Sequence, residues 1–542
     1  MGNLCFGKDD SKWAVSTSQS NKHLDYTVLN TVPTSLPKNR NLFENVYEIE
    51  NRRLGSGNYG EVKKCTHKET GVVRAVKILN KERLGSTNLH DNWFLKQIQV
   101  LNFINHPSFI KIHEFFEDRD HFFLIMDYYK GGDLLQKIKS CRKLPEDLLK
   151  KIMKQLLIGV SYLHNLRIVH RDLKLENILF KEKNGDVLVK IIDFDTSVKL
   201  TDKGVISGLY GTIYYMAPEL INLEYNEKCD IWSLGIIMYA LSTGELPYTG
   251  LSDHHILANI QKIPINLNSN FLQPLSDDAI DLLRKCLSKN PKTRISAEEA
   301  LDHPWIKSES FNSAKNKITI ENFDVNSIKT PAVKDFLVSN FTIVKDYTML
   351  DLAFLELDAD YDGIVMWDDV FEFFKKFYDE TTAENKADSL ICKIQGCHDD
   401  RFTYSEFLNA GIDLRSILNE KRILKFMMTR NKEKRNNGIN EDFFGKSVRS
   451  IKVDNEVEEW MQELGNRVDE DITPKDLQDA MLDKLYLNSS DNNASGIFDE
   501  RVLERSMRET NIFDYEKHHK RYGAKDFEVS AYEKINMKRE QV

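Results

Sequence analysis

At 542 residues, with 41% hydrophobic and 10% aromatic side chains, the chain is too long for one hydrophobic core and apolar enough for two or three. A formal net charge of -9 argues against a nucleic-acid binder, whose surface must neutralise phosphates with excess Lys and Arg, and suits calcium or basic polypeptides instead. The seven cysteines lack metal-type spacing and are expected as reduced thiols, and no apolar run nears the roughly 20 residues that span a bilayer.

The first residues, "MGNLCFGK", carry the pattern of a lipid anchor: Gly2 for an acyl chain once Met1 is removed, and Cys5 for palmitate. Two chains hold where one is marginal, although Phe6 stands where Ser or Thr is usual. That pattern implies a cytoplasmic chain anchored on the cytoplasmic face of a membrane; the other reading is an ordinary polar leader over residues 1–45. From Tyr47, "YEIENRRLGSGNYGEVKKC" alternates like paired strands broken by a glycine turn. Beyond Leu144, "PEDLLKKIMKQLLIGVSYLH" repeats apolar residues at intervals of three and four, and "CDIWSLGIIMYALSTG" is apolar nearly all round, as a buried helix is. A small β-rich part followed by a larger helical one is expected over residues 46–306, closing at "HPWI". Residues 307–346 read as a polar connector, 347–487 as alternating helices and loops, and 488–542 as an irregular polar extension.

The glycine turn spans Leu54, Gly55, Ser56, Gly57, Asn58, Tyr59 and Gly60, where the lack of Cβ atoms lets backbone N–H groups close over phosphate oxygens. "RAVK" then sets Lys77 on a strand, "HRDLKLEN" supplies Asp172, Lys174 and Asn177, and "DFD" supplies Asp193. With Glu219 in "MAPE", Asp230 in "DIWSLG" and Arg294 in "PKTRIS", this order resembles the protein kinase signature set from about Tyr47 to Ile306. The resemblance implies an α+β, bilobal kinase fold and an ATP- and Mg²⁺-dependent enzyme. Asp172 would accept the hydroxyl proton of a Ser or Thr substrate, Lys174 steady the γ-phosphate, and Asn177 and Asp193 hold Mg²⁺. Val62 and Ala75 would sandwich adenine, with Met126 as gatekeeper before a hinge at Asp127 to Tyr129. Asp133 and Glu176 match acidic positions that grip an arginine upstream of the acceptor, so basic protein substrates are expected, with no nucleic-acid partner and a monomeric chain.

Two positions depart from that family. The helix position that normally offers a glutamate to the strand lysine is Gln97, whose amide oxygen can still accept from Lys77 more weakly than a carboxylate would. Asp195 replaces the metal loop's glycine. It can face Lys77 and restore the missing carboxylate, or face solvent and merely reduce activity. In the activation segment the usual phosphate position falls on Gly208, leaving Arg171 without a phosphate to clasp and Ser207 as a fallback.

Further on, "DADYDGIVMWDD" places Asp358, Asp360 and Asp362 at positions one, three and five of an EF-hand loop, Gly363 at six, the Ile364 carbonyl at seven and Asp369 at twelve. Aspartate at the twelfth place is one methylene shorter than the usual bidentate glutamate. Loops at 395–406, 432–443 and 465–476 look worn, and one at 491–502 ends on Val502. A kinase joined to an all-α, calmodulin-like unit of four hands behind an acylation-type start resembles the calcium-dependent protein kinases, as a divergent member. In that family a junction segment blocks the substrate cleft until calcium rearranges the hands, and Thr330 to Asn340 is the segment expected to do so. The competing class is a membrane-tethered pseudokinase or scaffold that binds nucleotide or calcium without turnover.

Overall fold

The computed structural model describes residues 39–418 apart from 40–41, 58, 85–86, 201–203, 268–271, 273–274, 310, 324–333, 335–336, 339–340 and 396–399. Gly2, Cys5, the loops at 432–443, 465–476 and 491–502 and the rest of the polar extension lie outside the described residues, while the loop at 395–406 is described except for 396–399. Five antiparallel strands come first: β1 (Tyr47–Ser56), β2 (Gly60–His67), β3 (Val73–Asn80), β4 (Ile112–Glu117) and β5 (His121–Asp127), in the order β1-β2-β3-β5-β4. Helix α1 (Thr87–Phe103) lies between β3 and β4 in the chain. Side chains of β5 alternate between two cores, as strand geometry requires. Phe122, Leu124 and Met126 join Phe94 and Ile98 of α1, while Phe123 and Ile125 join Phe43, Tyr47 and Val76 on the other face. The register that pairs Ala75 with Met126 and Val62 with Lys77 sets these four residues on one small sheet.

The larger lobe is helical. In α2 (Glu146–Asn165) acidic residues occupy the first turn, where the helix dipole favours them, and Leu149, Ile152, Met153, Leu156, Val160 and Leu163 are buried. Helix α3 (Lys228–Thr243) is buried on nearly every side and stops at Gly244, whose φ of 82° and N–H bond to the Ala240 carbonyl make a left-handed cap. Truncating one of these buried leucines to Ala costs about 2–5 kcal/mol. The antiparallel strand pair β6 (Ile178–Lys183) and β7 (Asp186–Ile191) joins the core of this lobe through Ile178, Phe180, Val187, Val189 and Ile191.

The connector is not featureless. It carries α4 (Ser313–Glu321), which packs along α5 (Val344–Leu357), the entering helix of the hand. The loop leads through β8 (Ile364–Met366) into α6 (Trp367–Lys375), and after α7 (Glu380–Gln395) strand β9 (Arg401–Thr403) pairs antiparallel with β8, joining the first hand to the second. Of the expected blocking segment only Lys334, Leu337 and Val338 are described, the last two buried. Cysteines 65, 141, 229 and 286 are free thiols, but Cys392 is disulfide-bonded, which corrects the expectation of reduced thiols throughout. No helix among the described residues is long and apolar enough to cross a membrane.

Candidate active site and metal loop

The loop bearing Asp172 is fixed from below by one carboxylate. Asp230, fully buried at the start of α3, accepts from the backbone N–H groups of His170 and Arg171, each at 2.9 Å, and meets His164 Nε2 at 3.0 Å. Burial works to raise the Asp230 pKa, yet these bonds outweigh it and hold the carboxyl below its usual value. On top, Lys174 Nζ donates to Asp172 Oδ2 at 2.7 Å and to Thr212 Oγ1 at 3.0 Å, while Thr212 donates to Asp172 Oδ1 at 2.7 Å. Asn177 Nδ2 bonds the Asp172 carbonyl at 2.9 Å. The three expected catalytic residues are therefore brought together, with Thr212 as a fourth member that spacing did not reveal. Arg294 clamps Glu219 with two bonds of 2.5 and 2.9 Å in the core, a buried pair whose disruption costs about 3–5 kcal/mol.

Lys77 sits between two acids. Its Nζ donates to Asp193 Oδ1 at 2.7 Å and to Asp195 Oδ1. Gln97 also meets Asp195, but as a donor: Nε2 to Oδ1 is 2.7 Å. The expectation that its amide oxygen would accept from Lys77 is corrected, because the aspartate has taken the acceptor's place. Burial disfavours the Lys77 ammonium, but Asp193 and Asp195 hold its pKa above the usual value. Burial likewise opposes ionisation of Asp193, yet Lys77 keeps that carboxyl well below the carboxylate range; at Asp195 burial and the charge on Asp193 together win and raise it. Asp193 takes φ 71°, and Phe194 is buried against His170 and Phe109, with ring centroids 5.1 and 5.7 Å away.

The glycine loop closes with Gly57 N–H on the Gly60 carbonyl at 2.9 Å, and a Cβ on Gly60 would lie 1.8 Å from the Ile78 carbonyl. Gly55 and Gly57 have open space around them, as a phosphate cradle needs. Asn58 lies outside the described residues; Leu54, Ser56 and Tyr59 flank the turn. Ala75, Met126 and, from the larger lobe, Leu179 and Ile192 share the core cluster that also packs Val62 and Tyr59. Leu179, two residues past Asn177, is a member of this cluster that motif reading missed; its place in β6 was the available signal. Tyr129 is buried at the hinge and its hydroxyl has no partner among the described residues.

In the activation segment Gly208 has φ 102°, and Arg171 lies 4.2 Å over the Tyr210 ring and bonds Tyr225 Oη at 3.3 Å. Asp133 is mainly a helix cap: Oδ1 and Oδ2 accept from Gln136 N and Nε2 at 2.8 and 2.9 Å. Glu176 differs. Its Oε2 is buried without a hydrogen-bond partner among the described residues.

In the metal loop, Asp358, Asp360 and Asp362 each bring an oxygen within 4.8 Å of the others. Asp358 Oδ1 is buried and unpartnered among the described residues, Asp362 Oδ1 accepts from Ile364 N–H at 2.7 Å, and Gly363 turns at φ 86°. This all-oxygen donor set fits a hard cation such as Ca²⁺. Asp369 is the expected ligand that is not gathered with them: its short side chain caps α6 by accepting from Met366 N–H at 2.9 Å.

The hand also touches the kinase lobes, which no motif foretold. Tyr347 of α5 donates to Asp127 Oδ2 at the hinge. Asp127 is buried and also bonds Arg74 at 3.4 Å and His113 at 2.8 Å, so its side chain serves this junction and only its backbone is left for a nucleotide. One helical turn on, Asp351 pairs with buried Lys190 of β7 at 3.0 Å and accepts from Tyr404. Leu355 enters the core of the larger lobe, and Asp358 Oδ2 lies 3.6 Å from His106 Nε2.

Comparison with known proteins agrees with this geometry. The protein kinase domain family model matches residues 48–306. Calcium-dependent protein kinase 5 of Plasmodium falciparum (isolate 3D7) is 33% identical over 384 residues, covering 69% of this chain and 66% of that protein. Calcium-dependent protein kinase 4 of Plasmodium berghei (strain Anka) is 31% identical over 395 residues, covering 69% and 74%. Calcium-dependent protein kinase 3 of Plasmodium yoelii yoelii is 35% identical over 379 residues, covering 68% and 69%.

Proposed function

The chain belongs to the calcium-dependent protein kinase family and is a Ser/Thr protein kinase, and from that premise we propose how its residues divide the work. ATP is taken under the glycine loop from Leu54 to Gly60, with adenine between Val62, Ala75 and Leu179 and against the backbone from Met126 to Tyr129. Lys77 orients the α- and β-phosphates. Asn177 and Asp193 hold Mg²⁺, which when bound neutralises charge across the phosphates. Asp172 accepts the proton of the attacking hydroxyl and Lys174 steadies the transferred group. The observation that carries this reading is the Asp172, Lys174, Asn177 and Thr212 cluster, a hydrogen-bonded array whose loop is fixed by Asp230.

The substrate is a polypeptide with an arginine near its Ser or Thr. Glu176, with its unpartnered oxygen, takes the guanidinium, while Asp133 contributes only its charge from a capping position. Calcium binds Asp358, Asp360, Asp362 and the Ile364 carbonyl, with Asp369 turning from its cap to complete the set. What supports calcium control of the cleft is α5, which carries Asp358 at one end and the hinge-bonded Tyr347 at the other. Acylation at Gly2 and Cys5 would hold the monomeric chain at the cytoplasmic face of a membrane.

γ-Phosphate incorporation into an Arg-containing peptide, with and without a calcium chelator and beside Asp172→Asn, tests this. Turnover lost in the variant and lowered by the chelator is expected. An Asp172→Asn enzyme at wild-type rate overturns the role of Asp172, and turnover indifferent to the chelator overturns calcium control.

A further inference from the structure

A strand lysine that orders ATP phosphates needs a carboxylate beside it, and in protein kinases the helix packed on the small sheet supplies one. Here that helix, α1, offers Gln97, which is buried and directs its Nε2 to Asp195 Oδ1 at 2.7 Å. Asp195 in turn accepts from Lys77 Nζ, 118 positions away in the chain. The carboxylate has moved from the helix to the metal loop, and the helix has gained a donor where it lost an acceptor. We propose that Asp195 is the positioning residue for Lys77 in phosphotransfer, with Gln97 holding it in place, so that the two departures from the family pattern are a single exchange.

Three observations support the exchange over a solvent-facing Asp195. The side chain of Asp195 is only 16% exposed and that of Lys77 only 17%, so the pair is formed largely away from water, where charge-assisted bonds are strong. The backbone at 195 is not among the positive-φ positions, although Asp193 is, so the Cβ that replaces a glycine costs no conformational strain. Lastly, a glutamate at 97 would set two carboxylates within hydrogen-bonding distance of each other, whereas the amide of glutamine satisfies Asp195. Lys77 is consequently held by the metal loop itself, and α1 acts on it only through Gln97.

The proposal rests on the kinase reading, and its test separates the two. The full chain is prepared as wild type, Asp195→Gly, Gln97→Glu and the double variant, with Asp195→Asn as a version of the same shape without the charge. For each, kcat and KM for ATP are measured in peptide phosphorylation, and Mg·ATP affinity by displacement of a fluorescent ATP analogue. Asp195→Gly, Asp195→Asn and Gln97→Glu are each expected to lower kcat/KM by about tenfold or more, and the double variant to return within about threefold of wild type. A general loosening of the loop would not be cured by a glutamate on a different element. Asp195→Gly at or above the wild-type rate overturns the proposal, as does a double variant no better than the worse single one. If the wild type binds nucleotide without turnover, the phosphotransfer reading fails, while loss and recovery of Mg·ATP affinity still decide the exchange.

Discussion

Asp193 and Asp195 in the cleft, and Asp358, Asp360 and Asp362 in the metal loop, are both crowded carboxylate clusters, but only the first has a cation built into the protein. Lys77 lies within bonding distance of both cleft acids, and Gln97 adds a donor. The loop acids have backbone N–H groups from Gly363, Asp362 and Ile364 and no lysine or arginine partner among the described residues. The acidities differ accordingly. In the cleft Lys77 holds Asp193 low against its burial while Asp195 beside it is raised, whereas in the loop no acid is held low and burial with the neighbouring acids pushes Asp358 up to about 8. An internal counter-charge makes a cluster ready for chemistry; its absence makes one a receptor for a cation from outside.

The largest effect expected on the cleft side is that of Asp172→Asn, which keeps shape and removes the base. It should lower kcat by about 10²–10⁴ with little change in melting temperature, measured by steady-state phosphorylation and thermal unfolding. A comparable loss from Asp358→Asn would erase the distinction between a catalytic and a receptive cluster. On the loop side, calcium at about 100 times its Kd should stabilise the chain by about 2.7 kcal/mol, and a chelator should remove that gain. Asp358→Asn is expected to abolish the calcium shift in a melting experiment while leaving the calcium-free melting point the same or higher, since it removes a buried charge and its repulsion from Asp360 and Asp362.

How far these clusters could be read from the sequence follows from distance along the chain. The loop from Leu54 to Gly60, the Asp172 to Asn177 run and the Asp358 to Asp369 loop were legible because their chemistry is set by spacings of a few residues. That Asp195 turns to Lys77 was one of two open readings, and the direction of the Gln97 amide was misjudged because it depends on which acceptor lies closer in space. The docking of α5 on the hinge was not legible at all. Tyr347 and Asp127 are 220 positions apart, and nothing in the periodicity of either segment marks their side chains as partners. Nothing in the spacing marks Asp351 and Lys190 as a buried pair, since they are 161 positions apart and charged residues are seldom buried.

The junction between the two clusters has its own pH signature. His113 is buried beside Asp127, and burial, with Arg74 next, pushes its pKa down to about 4. The folded state keeps it neutral while the unfolded chain binds a proton below about pH 6.5, so its contribution is present above that value and is lost as pH falls toward 4. Between pH 7 and 5 this amounts to at most about 2 kcal/mol, and in His113→Gln the corresponding slope in denaturant midpoint should disappear. An unchanged slope would assign the acid sensitivity to other groups.

The smallest effect is the one that joins the comparison into a single device. Tyr347→Phe deletes the bond to Asp127 but leaves that carboxylate its partners Arg74 and His113, so the stability cost should be about 1 kcal/mol. Its kinetic consequence is more specific. Because Tyr347 and Asp358 share α5, removing the hydroxyl should reduce the dependence of the ATP KM on calcium while calcium affinity, read by titration, stays near wild type. A variant whose ATP KM still responds fully to calcium would show that the metal loop reaches the cleft by some route other than the hinge, and would leave the two carboxylate clusters as independent neighbours in one chain.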